Sequence, residues 1–370
     1  MRQVISLLII LLLIVTTYSC EEPSINTDQD NLCGEDDFEE IEGRNFLMGF
    51  STWIYAPGVL SETYEFISRN ADIYSEQQDE FIPWNTYLNN DELPPDYVED
   101  INYRVNKRPP DSKLLLSVSL LNTSRIGLLP DRDGFVPEGN WADTSIVNAY
   151  ARHIQFLVDK MNPDYLVAAM EANDLYLQKQ EKWVEYKALM KGVKTRLEKL
   201  YPDLPISESV TLHNLHSLSN VDDFDAYQNE IISYVYEMDF AAISYYPFFM
   251  GLHNEAEFQK PLDLINNRIN IPIAFSETAH LAESLIVSGL DINIRSDECE
   301  QNEYLETLLQ NAQNENYEFV IWWTHRDYDV LWRTFPDELK DIGQIWRDTG
   351  ILDEDGNERK STITWNKVFR

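Results

Sequence analysis

The sequence predicts an α/β chain closed into a single (β/α)8, or TIM, barrel. Three observations carry that prediction. Eight short apolar runs recur along the chain, and most lack polar alternation. Each is followed by a stretch with helical spacing. Strands of this kind are buried on both faces, and their alternation with helices implies a parallel sheet covered by helices. The folded part is roughly 325 residues long, a normal size for such a barrel. An open doubly wound sheet would want a glycine-rich first turn. Here that turn reads GFSTWIYAPG, with neither GxGxxG nor GxxxxGKS.

In chain order, the first segment stands outside the fold. MRQVISLLIILLLIVTTYSC carries a lone Arg2, an apolar run from Val4 to Val15 and small residues before Cys20. That is a signal peptide over 1–19, too short to span a bilayer comfortably. A cysteine behind a small residue resembles a lipoprotein signal, with Cys20 as the lipidated first residue. Plain secretion and an uncleaved anchor are the alternatives. Residues 20–44 are acidic and poor in large apolar side chains, so they read as a tether. The barrel domain is expected over 45–370, at the outer membrane or cell surface or facing the periplasm.

The strands then follow. They are NFLMGFS (45–51), ADIYS (71–75), KLLLSVS (113–119), YLVAAME (165–171), LPISESV (204–210), DFAAISY (239–245), IPIAFSE (271–277) and EFVIWWT (318–324). Two of the intervening helices show their faces plainly. Ile146, Ala149, Tyr150, Ile154, Phe156 and Leu157 make a core-facing stripe, as do Val184, Leu189, Val193 and Leu197 in the next.

The formal charge of −35 makes nucleic acid and anionic polymers poor partners, since a phosphate binder needs a basic face. Cysteine spacing argues for no metal site. With Cys20 lipidated, Cys33 and Cys299 could pair or stay free. No cofactor is expected, and a monomer is.

In such barrels the chemistry sits at the carboxyl ends of the strands. Two of those ends deliver a carboxylate, Glu171 after the fourth run and Glu277 after the seventh. A buried carboxylate is costly unless paired, so IPIAFSE ending on a glutamate asks for a reason. Glycosidic cleavage supplies one, because it needs two carboxyl groups flanking the bond, about 5–5.5 Å apart in a retaining enzyme. Glu277 would be the nucleophile and Glu171 the acid/base, with Asp174 as the nearest rival of Glu171.

Four motifs in order resemble the retaining glycoside hydrolases of the barrel clan with acid/base after strand four and nucleophile after strand seven. IPIAFSETA is similar to the nucleophile strand, DFAAISYYPFF to the sixth strand and FVIWWTHRD to the eighth; RDTGILDEDGNERKSTITW resembles the closing turn and helix. The nearest likeness is to bacterial endo-β-1,4-galactanases and their lipoprotein relatives. It implies that Tyr245 hydrogen-bonds the nucleophile and that a strand-eight tryptophan floors the site. It also marks departures. The clan's Asn-Glu pair is here Met170-Glu171, so either Asn173 takes over the sugar contact or Glu171 is not placed as the clan's acid. IYSEQQDEFIPW lacks the galactanases' arginine, and their aromatic-Trp-His pattern reads Phe248-Phe249-Met250.

Loop aromatics can stack on sugars, so Trp53, Trp84 and Trp323 join the expected substrate contacts, as do His213, His325 and Asp327. Trp141 and Trp322 qualify by position, whereas Trp346 and Trp365 read as packing residues. Asp131 and Asp133 read as a solvated turn, with calcium conceivable. The expected function is retaining hydrolysis of a β-linked poly- or oligosaccharide, with galactan or arabinogalactan side chains as the candidates the resemblance offers. The alternatives are a surface lipoprotein that binds glycans without cleaving them, and a scaffold with no sugar site.

Overall fold

The computed structural model describes Phe38 and residues 41–218, 221 and 223–370. The signal peptide, Cys20, Cys33 and most of the tether lie outside the described residues. No helix among the described residues is long and apolar enough to cross a membrane.

The main sheet is parallel and has nine segments: β1 (Leu47–Ser51), β2 (Ile73–Gln78), β3 (Lys113–Val118), β4 (Tyr165–Val167), β5 (Ile206–Ser207), β6 (Ser209–Thr211), β7 (Ala241–Tyr245), β8 (Ile273–Thr278) and, last in the chain, Phe319–Trp322. Its two ends are β5 and β6, which only Glu208 separates, so the barrel closes through the chain itself. Eight barrel strands result, counting β5 and β6 as one broken strand. A short antiparallel ribbon of β9 (Leu285–Val287) and β10 (Ile292–Ile294) follows β8, and Phe319–Trp322 is therefore β11. The alternating pattern gave no hint of the ribbon.

The outer layer consists of helices Leu60–Asn70, Pro95–Lys107, Thr144–Met161, Gln180–Leu200, Phe224–Val235, Glu255–Arg268, Glu298–Glu315 and Lys360–Phe369. The expected stripes hold apart from Val184, which is exposed, and Phe156, which is only half-buried.

Period-two alternation sorts the strand residues. Met48, Phe50, Leu114, Leu116, Ile243 and Phe275 face the helices. Ile73, Leu115, Val167, Phe240, Ala242, Ala274, Phe319 and Ile321 fill the barrel. Each large interior residue contributes about 1.5–3 kcal/mol through burial. Gly49 lies where β1 approaches β2 closely, since a Cβ there would sit 2.0 Å from the Ile73 carbonyl oxygen.

Two residues further along each strand the interior turns polar, at Ser75, Ser117 and Ser244, all buried. The next step up reaches the mouth. The apolar floor and serine layer thus put the polar end of the barrel at the carboxyl ends of the strands.

Candidate active site

Glu277 owes its inward direction to a β-bulge. Phe275, two residues earlier, faces the helices, so strict alternation would turn Glu277 outward as well. The register against β7 instead steps from Ile243↔Phe275 to Ser244↔Glu277, leaving Ser276 unpaired. One extra residue flips the strand end and swings Glu277 into the mouth. Its carboxylate accepts hydrogen bonds from the Tyr246 hydroxyl and the Gln77 amide. Burial pushes the carboxyl up to about 7 and the charge of Glu171 adds to the rise, while Tyr246, Gln77 and Arg125 oppose it.

Glu171 follows β4 in the left-handed region, with φ 55°, at the start of the helix Ala172–Gln178. The Ser209 hydroxyl accepts its backbone N–H at 2.9 Å. One carboxylate oxygen takes a bond from Ser244 Oγ at 2.9 Å. The other takes two from Arg125, at 2.6 Å from Nη2 and 3.2 Å from Nε. Ser244 joins the two carboxyl groups physically, because its backbone is in register with Glu277 while its hydroxyl reaches Glu171.

Arg125 is a residue that the sequence did not bring forward. It sits on the loop after β3, 3% exposed, with φ 54°. Its other guanidinium nitrogen donates to Ser119 Oγ at 3.0 Å and to the Leu121 carbonyl at 3.2 Å. Arg125, Glu171 and Thr324 are non-glycine residues at positive φ, each just past a barrel strand. Such strain persists where packing over-determines it and gathers at functional sites.

Trp323 continues the interior face of β11 past Ile321, and Trp53 follows β1. Their rings meet at 5.3 Å, and neither indole N–H finds a partner among the described residues. His213, beyond β6, is 5% exposed, and both of its ring nitrogens lack a partner among the described residues. Burial lowers it to about 4, so it is neutral, with Glu171 opposing that shift. Phe249 packs on it at 5.6 Å. Trp346, read from sequence as a packing residue, lies 6.0 Å from Tyr246 and 5.8 Å from Phe249, beside the site. Asp79 and Glu80, past β2, are half-buried and pushed up to about 7 by burial; Arg125 acts against the shift of Asp79.

Several expected contacts belong elsewhere. Tyr245 faces the outer layer, packed on Phe275 and Tyr304; its neighbour Tyr246 makes the bond to Glu277, one residue on. Asn173 is fully buried, bridging the Thr211 backbone at 2.8 Å and 3.1 Å and accepting nothing from the mouth. Its amide also donates to Tyr227 at 2.9 Å, so its polar atoms are engaged in structural ties. Asp174 accepts from Thr211 and Asn214, both at 2.7 Å, and burial and Glu171 raise it to about 6. Trp84 is core, with its indole bonded to the Leu129 carbonyl at 2.7 Å. His325 stacks 4.7 Å from Phe66 in the helix layer. Asp327 pairs with Arg359 and accepts from the Gly350 N–H at 2.7 Å. With Glu283 and Glu354 it makes a cluster of metal-like spacing, but Arg359 reaches both Asp327 and Glu283. Trp322 points outward and bonds the Thr349 carbonyl, and Trp141 packs under Lys182. Asp131 and Asp133 hold local backbone and Asn85, as turn residues do.

No protein-family model and no curated protein matches the chain by sequence. Solved structures do match it in shape. The GH53 catalytic domain of Ignisphaera aggregans gives a TM-score of 0.57 at 14% identity, over 90% of this chain and 98% of that one. A GH5_18 protein of Bifidobacterium longum, in complex with Manβ1-4GlcNAc, gives 0.62 at 14%, over 88% and 78%. An exo-β-1,4-mannosidase from an Opitutaceae bacterium gives 0.60 at 11%, over 90% and 62%. The fold is that of the barrel glycoside hydrolases. At these identities the likeness is one of architecture.

Proposed function

We propose that the protein is an exported glycoside hydrolase, anchored by lipid at Cys20, that cleaves a β-linked poly- or oligosaccharide by retaining double displacement. The observation that carries this reading is the pair of carboxyl groups at the ends of β4 and β8, turned into one aromatic-walled mouth. Glu277 attacks the anomeric carbon and the glycosidic bond breaks, with a proton from Glu171 going to the departing oxygen. Water then cleaves the glycosyl ester after giving a proton back to Glu171. Tyr246 and Gln77 orient the nucleophile. Trp53 and Trp323 offer unpartnered N–H groups and ring faces to a sugar, and neutral His213 offers a ring nitrogen. With the carboxyl groups of Glu171 and Glu277 in it and a formal charge of −35 on the chain, the mouth favours neutral sugars over uronic acids or sulfated ones. Galactan or arabinogalactan side chains fit that class. Cys299 is disulfide-bonded, a state that persists in oxidising compartments and supports export.

One observation favours a second reading, a surface protein that binds glycans without cleaving them. Arg125 engages the carboxylate that must donate a proton. The deciding experiment is intact-mass and peptide mapping after incubation with 2-deoxy-2-fluoro glycosyl fluorides of neutral sugars. An ester on Glu277 is the expected result. No adduct across the panel, with glycan binding still measurable by calorimetry, would turn the assignment to the binding protein.

A further inference from the structure

Indole N–H groups separate the packing tryptophans of this barrel from those at its mouth. Trp84, Trp183, Trp322, Trp332 and Trp365 each donate to an acceptor of the chain at 2.7–2.9 Å. The N–H groups of Trp53, Trp323 and Trp346 are buried and have no partner among the described residues. A buried indole ordinarily finds an acceptor, so each exception asks for a reason. Trp53 and Trp323 border the mouth with their rings 5.3 Å apart. Trp346, 7% exposed and just beyond the helix Asp337–Gln344, borders it too. Its ring lies 6.0 Å from that of Tyr246, whose hydroxyl donates to Glu277. The Trp323 backbone N–H bonds the carbonyl of Thr278, the residue after Glu277, at 2.6 Å. The Thr349 hydroxyl lies 2.8 Å from the carbonyl oxygen of Trp346 and 3.4 Å from that of Trp323. Loop and strand end are thus fastened together, and each tryptophan reaches the surroundings of Glu277 by a contact of its own. Phe249 stands 5.8 Å from Trp346 and carries the aromatic arc on to His213.

We propose that Trp346 is a substrate-binding residue that sets specificity, its indole N–H donating to one hydroxyl of the neutral sugar held against Glu277. The proposal rests on the reading of the mouth as a sugar site and adds a contact to it. A packing role accounts for the ring but leaves the N–H without a purpose, because a buried donor with no acceptor is costly. A sugar hydroxyl removes that cost without calling for a charge on the ligand. A site built to bond a substrate hydroxyl rejects the analogue that lacks it, so this one donor separates sugars of equal charge and similar size.

The test measures binding in E277Q, which lacks the attacking carboxylate and so leaves a glycan intact. Calorimetry follows a panel of neutral β-linked disaccharides and then the monodeoxy analogues of the tightest binder. W346F keeps an aromatic ring and loses the donor. One deoxygenation is expected to weaken binding about two- to tenfold in E277Q and to cost nothing further in E277Q/W346F, as a shared hydrogen bond requires. The other deoxygenations should cost the same in both proteins. A tryptophan that only packs would weaken every ligand alike, and losses that add at every hydroxyl overturn the proposal. Should W346F not fold, tryptophan 15N labelling of E277Q decides, with W53F, W141F and W323F assigning their own indole signals. One further indole signal is expected to move downfield with saturating disaccharide, and none moving overturns the proposal. No binding by any disaccharide of the panel would sink the sugar reading and this contact with it, whereas binding with additive losses would sink the contact alone.

Discussion

The Tyr246–Glu277 contact turns the proposed mechanism into a pH argument. Glu277 must be ionised to attack, and its carboxyl is raised to about 7. Activity is therefore expected to rise with pH through about 7, with kcat/KM on neutral aryl glycosides as the readout. The Tyr246 hydroxyl is one of the groups that lower Glu277, so Y246F should move this limb to higher pH. It should also cut the rate by about tenfold or more, since a hydrogen bond to a charged group contributes roughly 1.5–3 kcal/mol. A limb that stays put in Y246F would mean that the tyrosine only packs. The same residue shows where sequence reading slipped. DFAAISYYPFF presents two adjacent tyrosines, and alternation sends one out and one in. Which is which depends on where β7 ends, and strand ends are the least legible feature of a sequence.

Among elements, the strands were readable because burial on both faces leaves an apolar run. Eight runs gave eight barrel strands, and the fifth was broken only at Glu208. The bulge at Ser276 was not readable, since one unpaired residue leaves no mark on composition. Nor was Arg125, whose loop has no period to read. Asn173 is the converse case. Its position two residues after Glu171 suggested a sugar contact, yet it begins a short helix and ties that helix to β6 through Thr211. This distinction can be measured. N173A should lower stability by about 1–3 kcal/mol, because it strands buried groups on Thr211 and Tyr227. KM should change little if the fold is kept at low temperature. A large KM effect with an unchanged melting temperature would restore Asn173 to the sugar site. Gly49 gives a second element-scale expectation. G49A should destabilise the barrel, since a Cβ 2.0 Å from the Ile73 oxygen forces β1 and β2 apart, and chemical denaturation would show it.

At the scale of the whole molecule, two sets of buried groups set the pH dependence of stability, and they pull in opposite directions. Asp79, Glu80, Glu208 and Glu277 are raised to about 7 and Asp174 to about 6, chiefly by burial. For these the folded protein holds more protons than the unfolded chain, so their stability contribution is lost as pH rises through the folded values. His153 and His325 are lowered to about 3, and His213 and His280 to about 4, again by burial. For these the unfolded chain holds more protons, so stability is lost as pH falls below about 6.5. Between about pH 4.5 and 6.5 the two sets titrate against each other and nearly cancel. Above that window only the carboxyl groups remain, and the self-repulsion of an acidic chain acts in the same sense. The melting temperature at fixed ionic strength is therefore expected to be flat near pH 5–6 and to fall towards pH 8. E208Q should blunt that alkaline decline, because Glu208 is held off the barrel by the hydroxyls of Tyr186 and Tyr234, away from the catalytic pair. A melting temperature that does not fall from pH 6.5 to 8 would show that these carboxyl groups are already ionised below that range, and the raised titration of Glu277 would fall with them.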